Sequence, residues 1–93
     1  MIRVRVTYCA QARAAAGVAS DEVQLDGACT PGDLLIKVAE LRGESLRRII
    51  LDSSGRPHPS VLLFVGGEQV PVNAALALKD GDEIEIVPPM SGG

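Results

Sequence analysis

The sequence predicts an α+β fold in which one main helix packs against a mixed sheet of four to five strands. Residues 2–8 and 83–86 alternate apolar and polar side chains, which is the pattern of strands with one buried face. A helix-start signal occurs at Thr30, and a continuous apolar run at residues 61–65 leads into a two-glycine turn. Strands at both ends of the chain, with a helix between them, favour a sheet covered by that helix.

Length and composition restrict the class of protein. The chain has 93 residues, which suits one domain, and 46% of them are hydrophobic, mostly Val, Ile, Leu and Ala. The net charge of -3 argues against nucleic-acid binding, which usually requires a basic surface. The sequence has no run of about 18 apolar residues and no apolar signal core. We therefore expect a cytoplasmic protein that does not enter a membrane.

The first third of the chain predicts a hairpin. Residues 2–8 form the first strand, and residues 22–25 form a short second strand that ends at Asp26-Gly27. Residues 10–17 are predicted to be a loop or short turn despite their alanines. The connection between the two strands is therefore long for a hairpin.

Residues 31–42 are predicted to form the main helix. Thr30 is the expected N-cap, Pro31 occupies the first turn, and Asp33 reaches back to the cap. Gly43 is expected to end the helix in a left-handed conformation. The apolar side chains that recur at helical spacing are Leu34, Leu35, Val38 and Leu41.

The second half of the chain predicts one more helical segment and three strands. Residues 44–51 form the helical segment, with its two arginines facing water, and a proline-rich polar loop follows at residues 52–60. His58 lies in this loop, where we expect it to be exposed. The three strands are the central run 61–65, its hairpin partner 68–70 across Gly66-Gly67, and residues 83–86, which end before Pro88-Pro89.

This order of elements predicts the β-grasp, or ubiquitin-like, fold. In that fold the first and last strands are central in the sheet and parallel to each other. Arg3 and Arg5 would then lie beside Glu83 and Glu85 and form cross-strand charge pairs on the polar face of the sheet. We expect residues 1–87 to form the β-grasp domain.

The chain finishes with a short segment that we expect to be a flexible tail, residues 88–93. Its sequence is Pro88, Pro89, Met90, Ser91, Gly92 and Gly93. Two residues without side chains can pass through a slot that is too narrow for any Cβ atom. The carboxylate of Gly93 could therefore reach the active site of another protein, and we expect the reactive atom at this end.

The two cysteines do not form a recognisable motif. Cys9 and Cys29 are 20 positions apart and lack the Cys-x-x-Cys spacing. We interpret them as small buried or half-buried thiols of a reducing compartment, while a disulfide or a reactive thiol stays open. Two cysteines also cannot hold a plant-type iron–sulfur cluster, which requires four.

Three segments together resemble the MoaD/ThiS family of sulfur carriers, and within it the small subunits of molybdopterin synthases. They are Tyr8-Cys9-Ala10-Gln11-Ala12-Arg13 with Ala16-Gly17, Leu78-Lys79-Asp80-Gly81-Asp82-Glu83-Ile84, and Pro88-Pro89-Met90-Ser91-Gly92-Gly93. The resemblance implies a carrier that is not itself an enzyme and binds no cofactor. An E1-like adenylating enzyme would activate Gly93 with ATP and magnesium, and sulfur would then replace the adenylate to give a thiocarboxylate.

The same resemblance implies the partners of the chain and leaves alternatives open. Gly92 to Pro88 would thread into the enzyme that accepts the sulfur, the large subunit of a molybdopterin synthase or an equivalent synthase. Residues 51–68 also resemble carriers for cysteine biosynthesis, and thiamine or thiosugar pathways use similar proteins. A ubiquitin-like modifier, joined through Gly93 to lysines, and a plain interaction domain with an inert tail are two further classes.

The docking surface is expected on the exposed side of the sheet. We place it near the last strand, together with Met90, and assign Phe64 to the core instead of the interface. Nucleic acids and membranes are not expected among the partners.

Overall fold

The computed structural model describes residues 1–89 and forms a five-stranded mixed sheet with three helices. In chain order the elements are β1 (Ile2–Tyr8), α1 (Gln11–Ala16), β2 (Ser20–Leu25), α2 (Pro31–Arg42), α3 (Glu44–Ile50), β3 (Leu62–Val65), β4 (Glu68–Val70) and β5 (Glu83–Val87). The strand order is β2-β1-β5-β3-β4. β1 and β5 are parallel and the other neighbours are antiparallel. The predicted β-grasp fold is confirmed, with the first and last strands adjacent.

One face of the sheet forms the core with the helices. Alternate residues of β1 and β5 point to this face, and Val6, Ile84 and Ile86 are almost completely buried there. From α2, Leu34, Leu35 and Val38 pack into the same core. The other face, which we call the outer face, carries the intervening polar residues. This division follows directly from the alternating pattern of the sequence.

The main helix begins and ends at the predicted residues. The Asp33 N–H donates to the Thr30 hydroxyl and the Thr30 N–H donates to the Asp33 carboxylate, each at 3.2 Å, which completes a capping box. Gly43 ends the helix with φ 99° and ψ -169°, so it has a positive φ but is not in the predicted left-handed helical region. Leu41 belongs to the apolar series of the helix but is 56% exposed, so it does not share the burial of Leu34, Leu35 and Val38.

A short helix replaces the loop that was predicted at residues 10–17. α1 has no side-chain cap, and Ala10 before it has an unusual positive φ of 53°. Ala12 and Ala16 are buried, and Gly17 adopts the left-handed conformation that ends the helix. Burial of these small side chains, with α1 packed against β1 and α3, explains why six residues form a helix here.

A polar cluster ties α2 to the edge of the sheet. The Tyr8 hydroxyl donates to Asp21 Oδ2 at 2.8 Å, and Arg42 Nε donates to the same oxygen at 2.8 Å. A second Arg42 nitrogen contacts Asp21 Oδ1. The hydrogen bond from Arg42 is the main reason that the pKa of Asp21 is lowered, while burial raises the pKa of Tyr8. The cluster joins β1, β2 and α2 through one carboxylate.

The loop before β3 makes hydrogen bonds that the sequence did not predict. His58 is half-buried, its N–H donates to the Ile50 carbonyl at 2.8 Å, and its Nδ1 accepts from the Ser60 N–H at 3.1 Å. The expectation of an exposed His58 is therefore wrong, because the first bond ties its backbone to α3 and the second ties its ring to the loop. Within residues 1–89, no helix has the length and apolar character needed to cross a bilayer.

Candidate functional site

The predicted tail begins at the centre of the sheet. β5 lies between β1 and β3, so the chain leaves the sheet from the central strand and not from an edge. Pro88 is buried and Pro89 is half-buried, which means that close packing continues one residue past β5. Four of the predicted site residues lie outside the described part of the chain: Met90, Ser91, Gly92 and Gly93.

An apolar patch on the outer face lies next to the point where the tail begins. Leu62 pairs with Val87 across the β3–β5 ladder, and Phe64 lies two residues further along β3. Because neighbouring Leu63 and Ile86 point into the core, these three side chains point to the opposite face. Leu62 is 41% exposed, and Phe64 and Val87 are half-buried. We call Leu62, Phe64 and Val87 the outer patch.

The position of Phe64 overturns its assignment to the core. The apolar run at residues 61–65 has no alternation, so the run alone does not indicate which side chains point inward. The pairing of Leu63 with Ile86 settles this, because both are fully buried. Phe64 therefore belongs to the surface near the last strand, where docking was predicted. The alternation of β5 could have identified Val87 as outward-facing, whereas Leu62, like Phe64, required the pairing of β3 with β5.

Two carboxylates border the outer patch on the side of β1. Glu85 pairs with Phe64 on β3 and with Thr7 on β1, so it lies directly beside the patch. Glu83 lies two residues before Glu85 on the same face and is opposite Arg5 in the ladder. Among residues 1–89, neither glutamate forms an ion pair. The surface next to the tail is thus apolar with an acidic border.

The predicted charge pairs are only partly present. Arg5 does lie beside Glu83, but its ion pair is with Glu22 on β2, at 3.9 Å, and both side chains are more than half exposed. Arg3 has no glutamate of β5 beside it, and its backbone N–H donates to Asp80 Oδ1 at 2.8 Å. The parallel register differs by two residues from the predicted one. Exposed pairs of this kind contribute little to stability.

The two thiols differ in their location but not in the direction of their pKa shifts. Cys9 is half-buried next to β5, where its N–H donates to the Ile86 carbonyl at 3.0 Å. Burial, and secondarily the charge of Glu85, raises the pKa of the Cys9 thiol. Cys29 is buried in the core, and burial is also the main cause of its raised pKa. Both therefore favour the protonated thiol, which is the poorly nucleophilic form.

The arrangement is suited to recognition of a protein surface. The outer patch lies beside Pro88 and Pro89, so a partner that covers the patch would also lie next to the point where the predicted tail begins. Exposed apolar groups with a polar border are typical of interaction sites.

Comparison with known proteins gives one family and several similar structures. The sequence profile of the ThiS family matches residues 6–93. The molybdopterin synthase sulfur carrier subunit of Chlamydomonas reinhardtii is 36% identical over 93 residues, covering 99% of this chain and all of that protein.

Two of the similar structures have nearly the same length. The crystal structure of SAMP1 from Haloferax volcanii superposes with a TM-score of 0.83 at 25% identity, over 98% of this chain and 99% of that one. The putative molybdopterin converting factor, subunit 1, from Pyrococcus furiosus gives a TM-score of 0.75 at 27% identity, over 97% of this chain and all of that one.

Proposed function

The chain belongs to the MoaD/ThiS family of sulfur carriers, and from this premise we propose that it carries sulfur as a thiocarboxylate on Gly93. The observation that carries the proposal is the family match, which extends through Gly93. The outer patch beside the tail supports it, because the activating and accepting enzymes both need a docking surface close to the reacting carboxylate.

The proposed chemistry changes a poor electrophile into a sulfur donor. The Gly93 carboxylate attacks the α-phosphorus of ATP, pyrophosphate leaves, and a mixed anhydride with AMP forms at the carbonyl carbon. A persulfide of the activating system then attacks this carbon and AMP leaves. The attack forms a C–S bond and gives an acyl disulfide, whose S–S bond a second thiol of the donor then cleaves, leaving a thiocarboxylate on Gly93 and a disulfide on the donor. Enzyme partners supply the catalytic groups, ATP and magnesium, and this chain is their substrate.

The tail geometry sets how deep the reacting group can enter a partner. Because Pro88 is buried, we count the reach of the tail from Pro89. Four further residues span at most about 14 Å when fully extended. A partner that binds the outer patch therefore needs its reactive centre within about this distance of the contact surface. Gly92 and Gly93 fit a narrow channel, since neither has a Cβ atom.

We place the chain most specifically in molybdopterin biosynthesis, with the large subunit of a molybdopterin synthase as the acceptor. The relative from Chlamydomonas reinhardtii, which matches along its whole length, is named as the sulfur carrier subunit of that enzyme. Carriers for cysteine, thiamine or thiosugar pathways are the alternatives. Transfer of sulfur from the purified thiocarboxylate to a purified large subunit, in the presence of a molybdopterin precursor, tests this placement directly.

Deletion of Gly93 tests the reacting position. We expect the shortened chain to give no adenylate with the cognate activating enzyme and ATP, measured by pyrophosphate exchange and intact mass. Its melting temperature should match that of the full chain, because the described helices and strands end at Val87. Adenylate formation by the shortened chain would falsify the assignment of Gly93.

The outer patch can be tested with a matched pair of leucines. Leu62 in the patch is 41% exposed and Leu76 in the loop before β5 is 37% exposed, so Leu62→Ser and Leu76→Ser change similar amounts of surface. We expect Leu62→Ser to weaken binding to the activating enzyme about tenfold or more, as buried interface anchors do. Leu76→Ser should bind normally, and both melting temperatures should be similar. Equal effects of the two changes would move the docking surface elsewhere.

Protein modification is the second candidate, because SAMP1 of Haloferax volcanii, a small archaeal modifier protein, has nearly the same fold and length. A modifier would form an isopeptide bond between Gly93 and a lysine of another protein. Mass spectrometry of material from the native host distinguishes the two functions. A lysine-linked remnant of the tail supports the modifier, and replacement of one terminal oxygen by sulfur supports the carrier.

A further inference from the structure

One edge of the sheet is long, regular and open. The described sheet ends in β4, which has three residues, and in β2, which has six. β2 pairs with β1 in an unbroken register from Leu25 to Ser20. It contains no proline and no lysine, the residues that commonly protect such edges, and no bulge interrupts it. β2 is therefore the edge on which a further strand could form.

The hydrogen bonds of β1 show which groups of β2 point to the open edge. The Tyr8 N–H donates to the Ala19 carbonyl at 2.9 Å, so these two residues form a hydrogen-bonded pair in the antiparallel ladder. In an antiparallel ladder, hydrogen-bonded pairs alternate with non-bonded pairs. The backbone groups of Asp21, Val23 and Leu25 therefore bond to β1. The N–H groups of Arg5 and Cys9 point the other way, to β5, as this alternation requires.

Glu22 and Gln24 consequently direct their N–H and C=O groups away from β1. Within residues 1–89, no backbone or side-chain group bonds to these four groups. Their spacing of two residues matches the repeat of an added β-strand. At the Asp21 end, Arg42 bonds to the Asp21 side chain, so we take residues 22–25 as the stretch that an added strand would use.

A groove lies between this edge and α2. It is lined by Glu22, Val23, Gln24, Lys37, Glu40 and Leu41. Leu41 is 56% exposed, although it belongs to the apolar series of the helix. A side chain that descends from an added strand toward the helices would cover Leu41. On the other side of the strand, side chains would lie beside the exposed carboxylate of Glu22, whose ion pair with Arg5 is 3.9 Å long and leaves both side chains more than half exposed.

We propose that the β2 edge and the Leu41 groove bind an extended segment of a partner protein in which basic and apolar residues alternate. The apolar residues face Leu41, and the basic residues face Glu22 on the outer face. The backbone of the segment bonds to Glu22 and Gln24 as a sixth strand, the mode of recognition called β-augmentation. This site is separate from the outer patch and does not depend on the chemistry of Gly93.

Charge selects a partner segment over a second copy of this chain. Pairing of two β2 edges would bring Glu22 and Glu40 of both molecules to one seam, and each molecule has a net charge of -3. Like charges placed opposite each other in a sheet are destabilising. The groove carries the carboxylates of Glu22 and Glu40 against the single ammonium group of Lys37, so its net charge is negative and a basic segment compensates it.

A capped hexapeptide of sequence Lys-Val-Lys-Val-Lys-Val is the first probe, titrated into the full chain labelled with nitrogen-15 and carbon-13. We expect the amide signals of Glu22 and Gln24 and the side-chain signals of Leu41 to shift together. The corresponding Glu-Val repeat should not bind. Leu41→Ser should weaken binding of the lysine peptide about tenfold, whereas the matched change Leu76→Ser should leave it unaltered.

Two N-methylated peptides test the backbone bonds without altering the protein. An added strand directs every second N–H toward β2, so methylation of one alternate set should abolish binding and methylation of the other set should preserve it. Equal effects of the two peptides would overturn the proposal, as would shifts centred on Leu62 and Phe64. Equal binding of the Glu-Val repeat would also overturn it. So would a dimer that forms through β2 without peptide, detected by sedimentation.

Discussion

Replacement of Tyr8 by Phe removes one hydroxyl from the cluster that joins β1, β2 and α2. Tyr8 is 2% exposed, and its hydroxyl donates to Asp21 Oδ2 at 2.8 Å. Hydrogen bonds to charged groups contribute about 1.5–3 kcal/mol to stability. Asp21 keeps both contacts from Arg42 in the variant, so the lower value applies. We therefore expect the free energy of unfolding to fall by about 1.5 kcal/mol, which lowers the melting temperature by roughly 6–12 °C.

The same change has a pH signature. Burial, followed by the hydrogen bond to Asp21, raises the pKa of Tyr8 in the folded chain above its usual value near 10. The contribution of the neutral hydroxyl is thus complete below pH of about 10 and is lost as the pH rises further, because the unfolded chain then releases this proton first. Tyr8→Phe lacks this group. The stability difference between parent and variant should accordingly shrink above pH of about 10.

Urea unfolding followed by circular dichroism measures both effects, with an unchanged slope showing that only stability has changed. The chain has one tyrosine, so no other phenol contributes to the alkaline limb. A decrease in melting temperature of less than about 2 °C at neutral pH would refute the reasoning, since it corresponds to under about 0.5 kcal/mol. So would a stability difference that stays constant between neutral pH and pH of about 11.

Three other changes give separate tests. Asp21→Asn should flatten the acid limb of the stability curve, because the lowered pKa of Asp21 gives stability that is lost as pH falls below about 4; melting at several acid pH values checks this. Gly32→Ala should lower the free energy of unfolding by about 1–3 kcal/mol, since the added Cβ would lie 2.8 Å from a backbone carbonyl oxygen. The added Cβ of Gly27→Ala meets nothing within 4 Å, so this control should unfold at the same denaturant concentration as the parent. Arg5→Glu, at the end of the outer face far from the tail, should weaken partner binding less than Leu62→Ser in titrations; an equal loss would extend the docking surface along β1.

The sequence was sufficient for the elements whose patterns are strong. β1 and β5 alternate cleanly, Thr30 and Asp33 mark the start of α2, and the Gly66-Gly67 pair marks the turn between β3 and β4. Each of these signals depends on neighbouring residues alone, so it can be recognised without knowledge of the rest of the chain. The resemblance of both ends of the chain to the MoaD/ThiS family is also confirmed.

The features that were missed depend on contacts between distant residues. α1 has no capping signal and exists because its alanines are buried by other elements. The outward position of Phe64 follows from the pairing of β3 with β5, which a continuous apolar run does not specify. A shift of two residues in the β1–β5 register leaves every side chain on the same face, so the pattern could not place Arg3 and Arg5. The division at residue 87 and the roles of Gly92 and Gly93 stay predictions.

The position of β5 has a consequence for biosynthesis of the carrier. Without β5, the order β2-β1-β5-β3-β4 separates into two hairpins that share no hydrogen bonds. A nascent chain on the ribosome therefore cannot complete its sheet until residues 83–87 have been translated, and those residues lead directly into the tail. A fragment that terminates before this strand lacks Gly93, the proposed reactive residue, and also a closed sheet, so we expect it to be degraded by proteases. Folded molecules without a tail attachment point should consequently not accumulate in the cell.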